Sequence, residues 1–424
     1  MLLKETLANG ITLVMEKIPK LRSVSVGITI KCGSELESKE ENGFAHFLEH
    51  LAFKGTKDRK AVEISEAIES IGGKINAGTS KEYTNYYVLV LDEHINIAID
   101  LLSDIFLNSL YLPDDIKKEK EVILSEIDLY EDTPDERIHD LLIETVWPNT
   151  SLGYPVLGEK EQVLSANRKS IINFKNRFYT PENTIISIAG NFSLPKVRKM
   201  IKKKFSVMED KSGITKKNQK AAPVFNEKFK CFSKQTNQNH LCLSYQGLSY
   251  KDERRYCLSV FSNLFGSTMS SRLFQEVREK RGLVYSIYSY TLLFKRGGLF
   301  NIYAGTEAKY SLDVVNIILK EIQRVIEEGI SSDELRKAKE NLKGNMVLGL
   351  ESAASRMNWN SKSILFHDRL ISLEETFKNI EAVTMAQIKD LACELFIPEK
   401  RSLVVLGTVA PDNKKELSAI LGAK

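Results

Sequence analysis

The segment FYTPENTIISIAGN (178–191) returns, altered in detail, as FIPEKRSLVVLGT (396–408): a helix end, a Pro-Glu turn, then an apolar strand. A second pair, DIKKEKEVILSE (115–126) and ELRKAKENLKGN (334–345), shares its charge pattern. The two offsets agree within two residues, 217 from Pro181 to Pro398 and 219 from Asp115 to Glu334. A period of about 210 residues is far longer than that of any solenoid repeat. The chain of 424 residues is therefore expected to be a duplication of one α+β unit. The copies are placed at 1–208 and 224–424. Between them EDKSGITKKNQKAAP (209–223) is charged and without periodicity, the composition of a linker.

Within a copy, strand and helix periods alternate. ITLVMEK follows the turn signal Asn9-Gly10, and SVSVGITIK (23–31) alternates along its length. KINAGTSKEYTNYYVLVL (74–91) is β-like, and NTIISIAGN (183–191) reads as a buried strand. Helical segments are expected at 43–51, 61–72, 94–110 and 113–130, the last opened by Pro113 where proline is tolerated. Meander strands with paired helices imply two α/β-sandwich units, each a mixed or antiparallel sheet covered by helices.

Composition narrows the function. With 60 basic and 56 acidic residues the net charge is +4, which speaks for neither a nucleic-acid nor a membrane-surface protein. No apolar run is long enough to span a bilayer. Five scattered cysteines without a CxxC pair fit neither a disulfide framework nor a thiolate zinc site. No secretory signal is visible at the start of the sequence, so a bacterial-type cytoplasmic location is expected, with the mitochondrial matrix as second choice.

The two copies differ where chemistry would sit. The first contains HFLEH (46–50); the second has no such set. On a helix His46 and His50 share a face. Zinc takes imidazole nitrogen at about 2.0–2.1 Å, and catalytic sites keep three protein ligands and one open position. Glu49, between them in sequence, suits a general base acting on water. The helix at 113–130 offers Glu119 and Glu126, seven residues apart and on one face, with Val122, Ile123 and Leu129 expected to dock it on the core. Glu126 is taken as third ligand and Glu119 as a group that tunes the site. In the second copy their places fall to Ala338 and Asn345. Two histidines on a helix are commonly ordinary core or surface residues; the acid in the base position and the missing second-copy carboxylates set this pair apart.

HFLEHLAFKGT, INAGTSKEYTNYY and EKEVILSEIDLYEDTPDE together resemble the pitrilysin/insulinase family of inverted-motif zinc metallopeptidases, in particular its short bacterial members and the β subunit of the mitochondrial processing peptidase. The resemblance implies one Zn²⁺ per chain on His46, His50 and Glu126, with Glu49 as base and Glu119 assisting. It implies that Arg278 and Tyr285, in VREKRGLVYSIYSY (277–290), stabilise the oxyanion. It also implies that the strand at Asn76, Ala77 and Thr79 receives the substrate by β-augmentation. The function expected is a zinc-dependent endopeptidase that cuts unfolded or short peptides inside a closed chamber formed by a homodimer. The rivals are a noncatalytic assembly subunit of the same family and the catalytic half of a heterodimer with an inactive paralogue.

Overall fold

Alternation of apolar and small polar residues decides how the first sheet is covered. In strand β3 (Ser23–Ile30), Val24, Val26, Ile28 and Ile30 point to one face and Ser25, Gly27 and Thr29 to the other. The computed structural model of the chain describes residues 1–209 and 222–420, so the expected linker at 209–223 lies almost wholly outside the described residues. The first sheet has six strands: β1 (Leu2–Thr6), β2 (Thr12–Lys17), β3, β4 (Lys74–Thr79), β5 (Thr84–Leu91) and β6 (Thr184–Gly190), in the order β1-β2-β6-β3-β5-β4. Only β2 and β6 run parallel. The continuous β-like stretch 74–91 is thus a hairpin, and β4 is a sheet edge.

The second sheet has five strands: β7 (Phe229–Phe232), β8 (Asn239–Gln246), β9 (Val284–Phe294), β10 (Gly297–Thr306) and β11 (Arg401–Leu406), in the order β7-β11-β8-β10-β9. Its one parallel pair is β7 with β11. Adding 217 to Thr184, where β6 starts, gives Arg401, where β11 starts. The central strands follow the same order in both sheets, as a duplication requires. Mixed sheets covered by helices are present in both units, as expected.

The apolar face of the first sheet carries the helices Phe44–Leu51, Ala61–Glu69, Ile95–Asn108, Arg168–Phe178 and Leu194–Phe205. The helix Pro113–Glu131 joins this core through Ile116, Ile123 and Ile127, whereas Val122 and Leu129 are exposed. The expected docking residues are therefore corrected: the inward stripe runs through 116, 119, 123 and 127, the i, i+3, i+4 rows of one face.

The expected contiguous copies are corrected as well. One unit consists of Met1–Asp128, Tyr154–Lys220 and Leu348–Ile371; the other of Leu129–Gly153, Ala221–Val347 and Ser372–Lys424. The halves have exchanged a helix. Ala353–His367, from the second half, lies on the polar face of the first sheet. There Met357 fills the groove over Gly27; a β-carbon on Gly27 would come within 2.3 Å of the Met357 sulfur. Around it Ser187 donates to the Met357 carbonyl at 2.9 Å, Thr29 meets Ser361 at 3.1 Å, and Asn360 donates to Glu16 at 2.8 Å. In return Pro134–Val146, from the first half, packs on the second sheet. Its Ile138, Leu142 and Val146 form an apolar cluster with Leu299 and Val404. No described helix is long and apolar enough to cross a membrane.

Candidate metal centre

The helix Phe44–Leu51 forms because Phe44, Phe47, Leu48 and Leu51 make an apolar stripe that the core buries. Its start needs glycine: Gly43 has φ +93°, and a β-carbon there would lie 2.8 Å from Gly158 Cα. No Ser, Thr, Asp or Asn caps this helix. Instead the carboxylate of Glu37, fully buried, accepts from the Gly43 and Ala45 backbone N–H groups at 2.8 Å each and from Asn42 at 3.0 Å. Burial pushes the Glu37 carboxyl up to about 7, although these donors pull it down.

His46 and His50 then leave the helix one turn apart, their rings edge-to-face with centroids 4.5 Å apart. Glu126 reaches them from the helix Pro113–Glu131. Its Oε2 is 3.7 Å from His46 Nε2 and 3.4 Å from His50 Nε2. Among the described residues, these three form the group with metal-ligating atoms all within 4.8 Å of one another. Those spacings exceed a good hydrogen bond. Two atoms each about 2.0–2.1 Å from a tetrahedral zinc sit about 3.4 Å apart, so the donor set fits such an ion. The Glu126 side chain is 40% exposed, so the ligand group is open to solvent on that side.

The protonation states agree with that fit. Burial, reinforced by the neighbouring His50, pulls His46 down to about 4, so it is neutral at neutral pH, the form a metal binds. Burial also pulls His50 down, but the carboxylates of Glu126 and Glu119 beside it outweigh that and raise the imidazole above its usual value. The nearby His50 ring keeps Glu126 below the ordinary carboxylate range, against partial burial. Glu119 is buried and lies 3.2 Å from His50 Nδ1 through one oxygen, while Lys54 holds its other oxygen at 2.7 Å. This fixes the His50 ring with Nε2 toward Glu126. In the second copy the matching Ala338 is buried too, so that position has kept its place and lost its charge. Glu119→Gln is expected to weaken zinc binding about 10–100-fold, read by competition with a chromophoric chelator. Unchanged affinity would deny the residue this role.

Glu49 precedes His50 on the same helix and feels the charges of both His50 and Glu126. Its Oε2 accepts from the Thr79 hydroxyl at 2.6 Å. Burial raises its carboxyl, and Thr79 opposes the shift. Asn76 and Ala77 lie on the same edge strand, β4; the Asn76 side chain accepts from the Ala77 N–H at 2.8 Å. Arg278 and Tyr285 belong to the other unit. The Arg278 guanidinium stacks 4.9 Å from the Phe274 ring centre and 5.5 Å from that of Tyr285, and Tyr285 is 73% exposed. Sequence reasoning missed two residues here, Glu37 and Lys54, and the tie from Thr79 to Glu49. Each acts through a contact between distant segments, and no local period announces it.

Comparison with known proteins decides the family. The profile of the insulinase family, peptidase family M16, matches residues 12–160, and that of the peptidase M16 inactive domain matches 165–342. A protein of Bacillus subtilis named an uncharacterized zinc protease is 42% identical, covering 93% of this chain and 96% of its own. The chain belongs to peptidase family M16. A Streptomyces coelicolor relative of this M16 chain, also named an uncharacterized zinc protease, is 38% identical over 95% of the chain and 89% of its own length. The M16 fold is shared with the crystal structure of a protease from Helicobacter pylori, with TM-score 0.89 at 21% identity, covering 96% of this chain and 99% of that one. The M16 inactive domain of Pseudomonas fluorescens gives 0.88 at 18% identity, covering 96% and 98%. M16 is a family of peptidases. The segment matched as inactive is the one that holds Ala338 in the place of Glu119, whereas His46, Glu49, His50 and Glu126 all lie in the insulinase match.

Proposed function

We propose that this chain is a zinc-dependent endopeptidase acting on unfolded or short peptides. The observation that carries the reading is the convergence of His46, His50 and Glu126 with Glu49 beside them. The relatives' names, zinc protease, support the same metal. When bound, zinc would acidify a water and polarise the scissile carbonyl. The protein's own residues do the rest. A peptide strand pairs with the free edge of β4 at Asn76 and Ala77, main chain to main chain, so many sequences are accepted. Glu49 takes a proton from the attacking water as its oxygen bonds to the carbonyl carbon. When the C–N bond breaks, Glu49 returns that proton to the leaving nitrogen. Arg278 and Tyr285, held as a cation–π pair in the other unit, are assigned to the negative charge on the carbonyl oxygen, presented by a second copy of the chain. We place the reaction in a chamber built by two copies of the chain, since one chain supplies two sandwich units.

The test is cleavage of labelled, unfolded casein by the zinc-loaded protein. Activity is expected to vanish with a chelator and to return with one equivalent of zinc. Cleavage indifferent to the chelator would refute the metal mechanism. No cleavage at all would favour the noncatalytic subunit.

A further inference from the structure

We propose that Thr79 is the positioning residue of the catalytic base, tying Glu49 to the same edge strand that receives the peptide. The inference rests on the peptidase reading above and deepens it. It starts from the register of β4. Burial alternates along the strand, with Ile75, Ala77 and Thr79 half-buried and Lys74, Asn76 and Gly78 exposed. Ile75 and Ala77 spend that inward face on the hydrophobic core. Thr79, the last residue of the strand, does not: its hydroxyl reaches Glu49 Oε2 at 2.6 Å.

The direction of the bond follows from the neighbours. Thr84, opposite Thr79 in the hairpin, gives its own proton to the Cys32 carbonyl at 3.0 Å and stands 3.4 Å from the Thr79 oxygen. A threonine hydroxyl has one proton, and the short contact shows that Thr79 directs it to Glu49. The β-branched side chain is stiff at χ1, while a glutamate side chain is free to swing unless held. Thr79 therefore sets where the carboxylate stands.

The consequence concerns coupling. The main chain of β4 offers its free edge outward while the side chain of its last residue holds the base inward. A peptide paired with that edge is placed in a register that Glu49 shares. Thr79 acts through Glu49 and is not one of the metal-ligating group His46, His50 and Glu126.

The experiment uses the zinc-loaded full chain and a peptide that the wild type cleaves, comparing Thr79→Val, Thr79→Ser and Glu49→Gln. Thr79→Val keeps the branched shape and removes the hydroxyl. It is expected to lower kcat about 10–100-fold, the cost of a base displaced by about 1 Å, with KM within about threefold and full zinc content. Thr79→Ser, which keeps the hydroxyl, is expected to restore kcat to within about threefold of wild type. A crystal structure of Thr79→Val should show the Glu49 carboxylate moved. The inference is overturned if kcat of Thr79→Val equals wild type, if its loss lies in KM, if Thr79→Ser is equally poor, or if Glu49 stays in place. An active wild type with an inert Glu49→Gln and an unaffected Thr79→Val removes this inference alone. A wild type that cleaves nothing removes the peptidase reading and this inference with it.

Discussion

Glu49→Gln is expected to lower kcat by about 10²–10⁴-fold, the usual contribution of a general acid–base group. Glutamine has the size of glutamate, and its amide oxygen still accepts from the Thr79 hydroxyl that lies 2.6 Å away. Helix and strand therefore keep their places. Glu49 ligates nothing in the His46–His50–Glu126 group, so zinc content should be unchanged. What disappears is the ability to take a proton from water and return it to the leaving nitrogen. The loss should fall on kcat, with KM altered little, because peptide binding uses the main chain of β4. Steady-state cleavage with metal analysis of the same sample makes the check. A variant with full metal and undiminished kcat would show that the base is another group.

His50→Ala acts on the metal itself and on everything downstream of it. Zinc sites are worth on the order of 10–16 kcal/mol at neutral pH. With three protein ligands sharing that energy, the loss of one should weaken binding by about 10²–10⁴-fold. The variant also strips Glu119 of its partner at 3.2 Å and leaves that buried carboxylate to Lys54 alone. This effect should exceed that of Glu119→Gln by at least about tenfold, because a ligand is lost instead of its support. Competition titration with a chelator compares the two. Equal affinities for wild type and His50→Ala would place the metal elsewhere.

Much of this site was legible in the sequence because helical geometry carries it. His46 and His50 at i and i+4, and Glu119 and Glu126 two turns apart, need only a period near 3.6 to share faces. The repeat located the fold's second copy, and Ala338 and Asn345 marked it as lacking the carboxylates. Assigning Val122 and Leu129 to the core failed because the inward stripe passes through the charged Glu119, which an apolar count skips. The helix exchange was not legible either. An amphipathic pattern tells that Pro134–Val146 has a face to bury; it does not tell which sheet buries it. Ala353–His367 is harder still, since polar contacts from Thr29, Ser187 and Glu16 seat it. Glu37 caps its helix from outside the first turn, so no capping signature stands next to Phe44.

Diffraction from zinc-loaded crystals on either side of the zinc absorption edge tests the metal centre most directly. The expected result is one anomalous peak per chain, about 2.0–2.2 Å from His46 Nε2, His50 Nε2 and a Glu126 oxygen. No peak there, or a peak bound by other residues, would contradict it.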